Sequence, residues 1–166
     1  MRWTRRQFMK IAGAAGGALA AGRWPSWGAA PRTARVALIH SDDHRDGVLR
    51  ALRLLEPVPF AGKSVVIKPN FNSSHGFPAS THDDTLRALV DVAQSGGARD
   101  VTICDRAGMG DTARVIREKG VDAWAARAGV RVVPLEALPP AEWTVRRIPG
   151  GHWQRGVLVP TLIEQA

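Results

Sequence analysis

The sequence predicts an α/β domain, three-layered and sandwich-like, built on a mostly parallel sheet with crossover helices. Short apolar, β-branched runs alternate with segments of helical periodicity, the order in which strand–helix–strand units read. The runs are continuous instead of alternating, as in strands buried on both faces. The helical segments open at Asp or Thr and stop at Gly or Pro, where capping and termination chemistry place helix ends.

The elements follow in chain order from a Pro- and Trp-containing connector, Arg23 to Thr33. Val36 to His40 reads as a first strand. Asp43 or Asp46 then caps a helix carrying Val48, Leu49, Leu52 and Leu55 on one face, and Pro57 and Pro59 end it. Ser64 to Lys68 is a second, buried strand. A loop rich in Asn, Ser, Gly and Pro follows from Pro69 to Ser80. Thr81, with Asp84 three residues on, resembles a capping box for a helix in which Leu86, Leu89, Val90 and Ala93 recur until Gly96-Gly97. Val101 to Cys104 forms the third strand. After the turn Gly108-Met109-Gly110 a helix starts near Asp111 or Thr112 and stops at Gly120, and Asp122 caps a short helix ending at Gly129. Val130 to Val133 is the fourth strand. Trp143 to Ile148 alternates like an edge strand, and the residues from Gly156 to Ala166 read as running into a helix.

Charge and cysteine content narrow the function classes. The net charge is +8, yet residues 1–30 hold five basic residues and no acid, so the remaining 18 basic residues face 15 acidic ones, a net of +3. No clustered basic face is left for nucleic acid. The single cysteine, Cys104, closes an apolar run and reads as a small buried hydrophobe. It excludes a disulfide framework, and an iron–sulfur cluster held by this chain alone, which needs about four thiolates.

The first residues carry an address. Thr4-Arg5-Arg6-Gln7-Phe8-Met9-Lys10, followed by an uncharged Ala/Gly-rich stretch from Ile11 to Gly22, resembles a twin-arginine (Tat) export signal. That stretch is 12 residues, against the roughly 20 a membrane-spanning helix needs. The expected organisation is a signal and connector over residues 1–30 and an α/β domain over 34–166, exported through the Tat translocase to the periplasm or beyond the cytoplasm, with no stable transmembrane span.

In open parallel sheets ligands lie beyond the carboxyl ends of the strands, so the residues that follow each strand are candidate site residues. The first run delivers His40, Ser41, Asp42 and Asp43, the second Lys68, Asn70 and Asn72, the third Asp105 and Arg106. A lysine among carboxylates there serves as an ion pair, an anion anchor or a proton-transfer partner. Pro69 biases Lys68 toward extended backbone and so holds its ammonium at the strand edge. The bland alternative is that Lys68 only pairs with Asp105, and that Asn70 only stabilises a turn.

The loop from Asn70 to Pro78 exceeds the usual βα connection of about 2 to 6 residues, which favours a binding loop or lid. His75 and His82 flank its distal part and, with Asp83 and Asp105, offer imidazole and carboxylate groups of the kind that hold zinc or other first-row ions. Their spacing matches no specific metal pattern, so solvated or capping roles compete and the metal stays unknown. Gly108-Met109-Gly110 lacks the third glycine of a dinucleotide fingerprint and reads first as a tight turn, second as an anion-facing one.

Val65-Val66-Ile67-Lys68-Pro69-Asn70, the helix opening at His82-Asp83-Asp84-Thr85, and Gly96-Gly97-Ala98-Arg99-Asp100-Val101-Thr102-Ile103-Cys104-Asp105 together resemble the domain of unknown function 362 family. The resemblance covers roughly residues 34–166. It implies an α/β domain at times found with iron–sulfur modules and at times exported by the twin-arginine route, with no settled reaction. Family members look longer, with a further apolar strand and a Lys-Thr-His segment beyond the position of Ala166, which implies a truncated chain and a domain incomplete at its C-terminus.

The resulting expectation is an exported, enzyme-like α/β domain binding a small anionic or metal-associated ligand. Lys68 is its anion anchor or proton donor and Asp105 its base or metal ligand, with Asn70, His75 and Asp43 as ligand contacts. The rivals are a non-catalytic accessory module of an envelope redox or iron–sulfur partner, and a truncated product without function of its own.

Overall fold

The computed structural model describes residues 34–166, so the expected export signal over residues 1–30 lies outside the described residues. The α/β expectation holds. Three parallel strands, β1 (Ser64–Ile67), β2 (Asp100–Asp105) and β3 (Arg131–Pro134), form a sheet in the order β1-β2-β3. Ile67 pairs with Ile103, and Asp105 with Pro134, so the three carboxyl ends share one edge. Central β2 buries every residue after Asp100, as a strand covered on both faces must.

Helix α1 (His44–Leu55) begins at Asp43, whose side chain caps it, and ends before the predicted Pro57. It packs against α2 (Asp83–Ser95), and its apolar positions Val48, Leu49, Leu52 and Leu55 are half-buried. α2 buries Leu86, Ala88, Val90 and Ala93 and stops at Gly96-Gly97. Gly97 has φ +80°, the left-handed region that glycine reaches without steric cost. Between β2 and β3 come α3 (Thr112–Glu118), capped by Asp111, and α4 (Val121–Arg127). The core joins Phe71, Leu86, Val90, Ile103, Val115, Ile116, Val121, Trp124 and Ala125, drawn from the sheet, the three helices and one loop residue. Two 3₁₀ turns, Leu135–Ala137 and Pro140–Glu142, lead into a separate antiparallel hairpin of β4 (Trp143–Arg146) and β5 (Val157–Pro160), after which comes the short α5 (Thr161–Glu164).

Four expectations are corrected. Val36 to His40 is not a strand: it joins no ladder among the described residues, and Val36 and Leu38 are exposed. An apolar run becomes a strand only where a neighbour accepts its backbone hydrogen bonds. Thr81 does not cap α2; His82 does, its Nδ1 accepting the Asp84 N–H at 3.2 Å, because Thr81 Oγ1 is taken by Asn70 N–H. Gly120, not Asp122, precedes α4, with φ +65°, and Asp122 lies inside the first turn. The segment after Gly156 is first a strand and only then a four-residue helix, since Val157 to Pro160 finds a partner in β4.

Candidate functional site

Lys68 directly follows β1 and Asp105 ends β2, and parallel pairing sets the two side by side. Lys68 Nζ lies 2.5 Å from Asp105 Oδ1 and donates also to the Pro69 carbonyl at 3.1 Å. The second oxygen, Asp105 Oδ2, accepts the Phe71 N–H at 2.6 Å. Exposure divides the pair: the Lys68 side chain is 53% exposed, that of Asp105 1%. A buried carboxylate needs its oxygens satisfied, and here both are. Asp105 therefore works as a clamp that fixes the ammonium and the start of the following loop. With both oxygens engaged it is poorly placed to take a proton from a ligand. Lys68 spends two of its three N–H bonds on protein acceptors and keeps one for solvent or an anion.

The loop from Asn70 to Thr81 is closed at its base. Asn70 N–H donates to Thr81 Oγ1 at 2.8 Å, and Thr81 N–H to the Asn70 carbonyl at 2.9 Å. Inside it, buried Ser80 donates its hydroxyl to the Ser73 carbonyl at 2.8 Å. Asn70 thus has its backbone committed while its side chain is exposed near Lys68 in sequence and without a hydrogen-bond partner among the described residues. His75 is exposed, its Nδ1 2.9 Å from Ser73 Oγ, so the loop itself orients the ring. Asp43 is occupied elsewhere, capping α1 through a 2.9 Å bond from Asp46 N–H. No hydrogen bond or ion pair among the described residues joins it to Lys68 or Asp105, because the run meant to carry it to the sheet edge is not a strand.

The glycine turn is a packing device. Met109 N–H donates to the Asn72 carbonyl at 2.9 Å, and a Cβ on Gly108 would fall 2.1 Å from Asn72 Oδ1. The Met109 amide is thus spent on the neighbouring loop. Beyond it, buried Thr112 receives the Ala107 N–H on its hydroxyl and gives its own N–H to Glu136 Oε1, each at 2.8 Å. Arg106 and Glu136 border a cavity of about 520 Å³ completed by Leu138, Pro140, Trp143 and Leu158. Lys68 and Asp105 do not line it.

The four groups considered for a metal are not brought together. His82 caps α2 and stacks on His44, His75 is held by Ser73, and Asp105 by Lys68 and Phe71. Among the described residues no three His, Cys, Asp or Glu side chains converge in a ligating arrangement. Cys104 is fully buried and free. Burial, and then the neighbouring Asp105 carboxylate, push its thiol above the usual range, so it stays protonated and unreactive at neutral pH.

Sequence reasoning missed Phe71, Thr81 and Glu136 as the groups that shape this edge. Phe71 and Glu136 act through long-range hydrogen bonds that leave no periodic trace, while Thr81 carried a capping signal that pointed to the wrong partner.

A family model described as a domain of unknown function (DUF362) matches residues 65–166, which is more than half of the chain. The chain belongs to this family. The DUF362 match takes in Lys68, Asn70, His75 and Asp105 and leaves out Asp43 and all of α1. No curated protein and no solved structure matches the chain. No helix among the described residues is long and apolar enough to cross a membrane.

Proposed function

We propose that this DUF362 domain is exported by the twin-arginine route and binds a small anionic ligand at the carboxyl ends of β1 and β2, with Lys68 as the anchor. The observation that carries the reading is the division within the Lys68–Asp105 pair, a half-exposed ammonium held in place by a fully buried carboxylate. An ammonium enclosed with Asp105 would be beyond a ligand's reach; this one is fixed by the buried carboxylate and open to solvent at its tip. Asp105 is a positioning residue, and the exposed Asn70 amide, two residues from Lys68, supplies orientation. His75, held by Ser73, is an outer contact from the loop. Export rests on Arg5-Arg6 and the short uncharged stretch behind them.

Titration with inorganic phosphate and with succinate, followed by amide chemical shifts, tests this reading. At least one of the two anions should perturb the amides around Lys68 and Asn70. Lys68→Met should abolish the perturbation, and Asp105→Asn, which keeps an acceptor for Phe71 N–H, should weaken binding roughly tenfold, about 1.4 kcal/mol. Unchanged binding in both variants refutes the anchor.

A second reading, a non-catalytic accessory module of an envelope redox or iron–sulfur system, is favoured by the hairpin. Val145 and Leu158 face each other across β4 and β5 and are 56% and 65% exposed, with Ile148 and Trp153 exposed on the connecting segment. Exposed apolar groups gathered on one element suit a protein contact. Co-purification of a partner that is lost on Val145→Ser with Leu158→Ser would favour this reading over ligand binding.

A further inference from the structure

We infer a second anion site, independent of Lys68, in the cavity between the distal half of the Asn70–Thr81 loop and the start of α2. The cavity measures about 360 Å³ and is lined by His44, Gly76, Phe77, Thr81, His82, Asp83 and Lys119. The observation behind the inference is Lys119. Its side chain is 5% exposed, yet its nearest anionic partner, Asp83 Oδ1, is 3.7 Å from Nζ, outside hydrogen-bond range. The Phe71 ring, 5.5 Å from the ammonium, contributes a cation–π contact and no acceptor. No hydrogen bond to Lys119 Nζ occurs among the described residues. Burying an ammonium without acceptors is costly. No fully enclosed side-chain nitrogen or oxygen among the described residues lacks a partner, so Lys119 Nζ retains some exposure, and Lys119 is one of the residues that line the cavity.

The other walls supply what an oxyanion needs. His82 Nδ1 accepts the Asp84 N–H, which in the neutral ring leaves the proton on Nε2 as a donor. The His82 ring is fixed by stacking on His44, with centroids 3.9 Å apart and planes 9° from parallel, and Phe77 stands edge-on to both. The cavity lies at the N-terminus of a 13-residue helix, where partial positive charge favours an anion. Opposing it is the Asp83 carboxylate, half-exposed and able to turn outward. The ligand class is a compact phosphoryl or carboxylate group that takes the position of the missing acceptor, with Asp83 as its competitor for Lys119.

The competitor makes the test decisive. Inorganic phosphate and acetate, titrated separately into the full chain, distinguish the two oxyanion types, and at least one should shift the amides of Phe77, His82 and Lys119. Asp83→Asn removes the competing charge while keeping a short polar side chain, and should tighten binding about three- to tenfold. Lys119→Met should abolish the shifts at these three positions and leave those around Lys68 in place. A purely structural Lys119–Asp83 pair predicts the reverse: no shift with either anion, and an Asp83→Asn variant that is less stable without higher affinity. That result overturns the proposal. Should Lys119→Met fail to fold, the Asp83→Asn affinity alone decides.

Discussion

The parallel sheet and the β4–β5 hairpin are held by different means. β2 buries five of its six residues, whereas β4 buries none and β5 only Pro160. In the sheet, the enclosed side chains of central β2, flanked by the half-buried ones of β1 and β3, supply the stabilisation. In the hairpin the side chains stay in contact with water and the backbone is the constrained part. Gly156 has φ +85°, and a Cβ there would lie 2.7 Å from the Arg146 carbonyl oxygen and 2.9 Å from Val145 Cγ1. A site built on the sheet edge, as Lys68 and Asp105 are, is therefore placed by the stiffer of the two regions. One at the hairpin depends on what covers it.

The largest effect that contrasts the regions is side-chain truncation. Ile103→Ala, at a fully buried position in mid-β2, should lower the unfolding free energy by about 2–5 kcal/mol through lost burial and a residual cavity. Leu158→Ala in the hairpin should change it by less than about 0.5 kcal/mol. Urea denaturation measures both. Comparable losses would show that the hairpin side chains are enclosed in solution, which would favour a self-associated or partner-covered form.

The same contrast explains what the sequence revealed. β1, β2 and β3 were legible as short, continuous apolar runs, although only central β2 is buried along its length while β1 and β3 are half-buried. Lys68 and Asp105 were legible as a pair because parallel strands deliver their next residues to one edge. Val36 to His40 is a short apolar run like β1 but has no ladder to join among the described residues, which no local pattern encodes. The hairpin was half read: β4 showed its alternation, but Val157 to Pro160 became a strand only through register with β4. Lys119 gave no signal in the sequence. Its burial arises from Phe71 and Asp83, 48 and 36 positions earlier in the chain.

An intermediate effect is expected from the backbone of the hairpin. Gly156→Ala should cost about 1–3 kcal/mol, since any Cβ meets the Arg146 carbonyl and φ +85° is unfavourable for an L-residue. The loss should be local. Amide exchange should accelerate in β4 and β5 and stay unchanged in β2, whereas Ile103→Ala should accelerate exchange throughout. If Gly156→Ala also loosens β2, the hairpin and sheet unfold as one unit and the division drawn between them fails.

The smallest effect concerns the join between the two regions. Glu136 lies in the turn leading from β3 toward the hairpin and accepts the Thr112 N–H at the start of α3. Burial pushes its carboxyl up, but hydrogen bonds from the Thr112 side chain and from the backbones of Glu136 and Thr112, with the Arg106 charge, outweigh this and hold it below its ordinary value of 4.5. A carboxyl group depressed in the folded state stabilises the fold fully above its unfolded value and loses that contribution as pH falls through the lower, folded one. Wild-type stability should therefore decline more steeply than that of Glu136→Gln below about pH 4.5. The difference should stay under about 1 kcal/mol, since the group is largely solvated. Denaturation midpoints on either side of that pH, with amide exchange at Thr112, measure it. Equal slopes would mean that Glu136 holds α3 as a neutral acceptor as well as a charged one. The join would then rest on buried Leu135 beside it, and the sheet's reliance on side-chain burial would extend one turn further toward the hairpin.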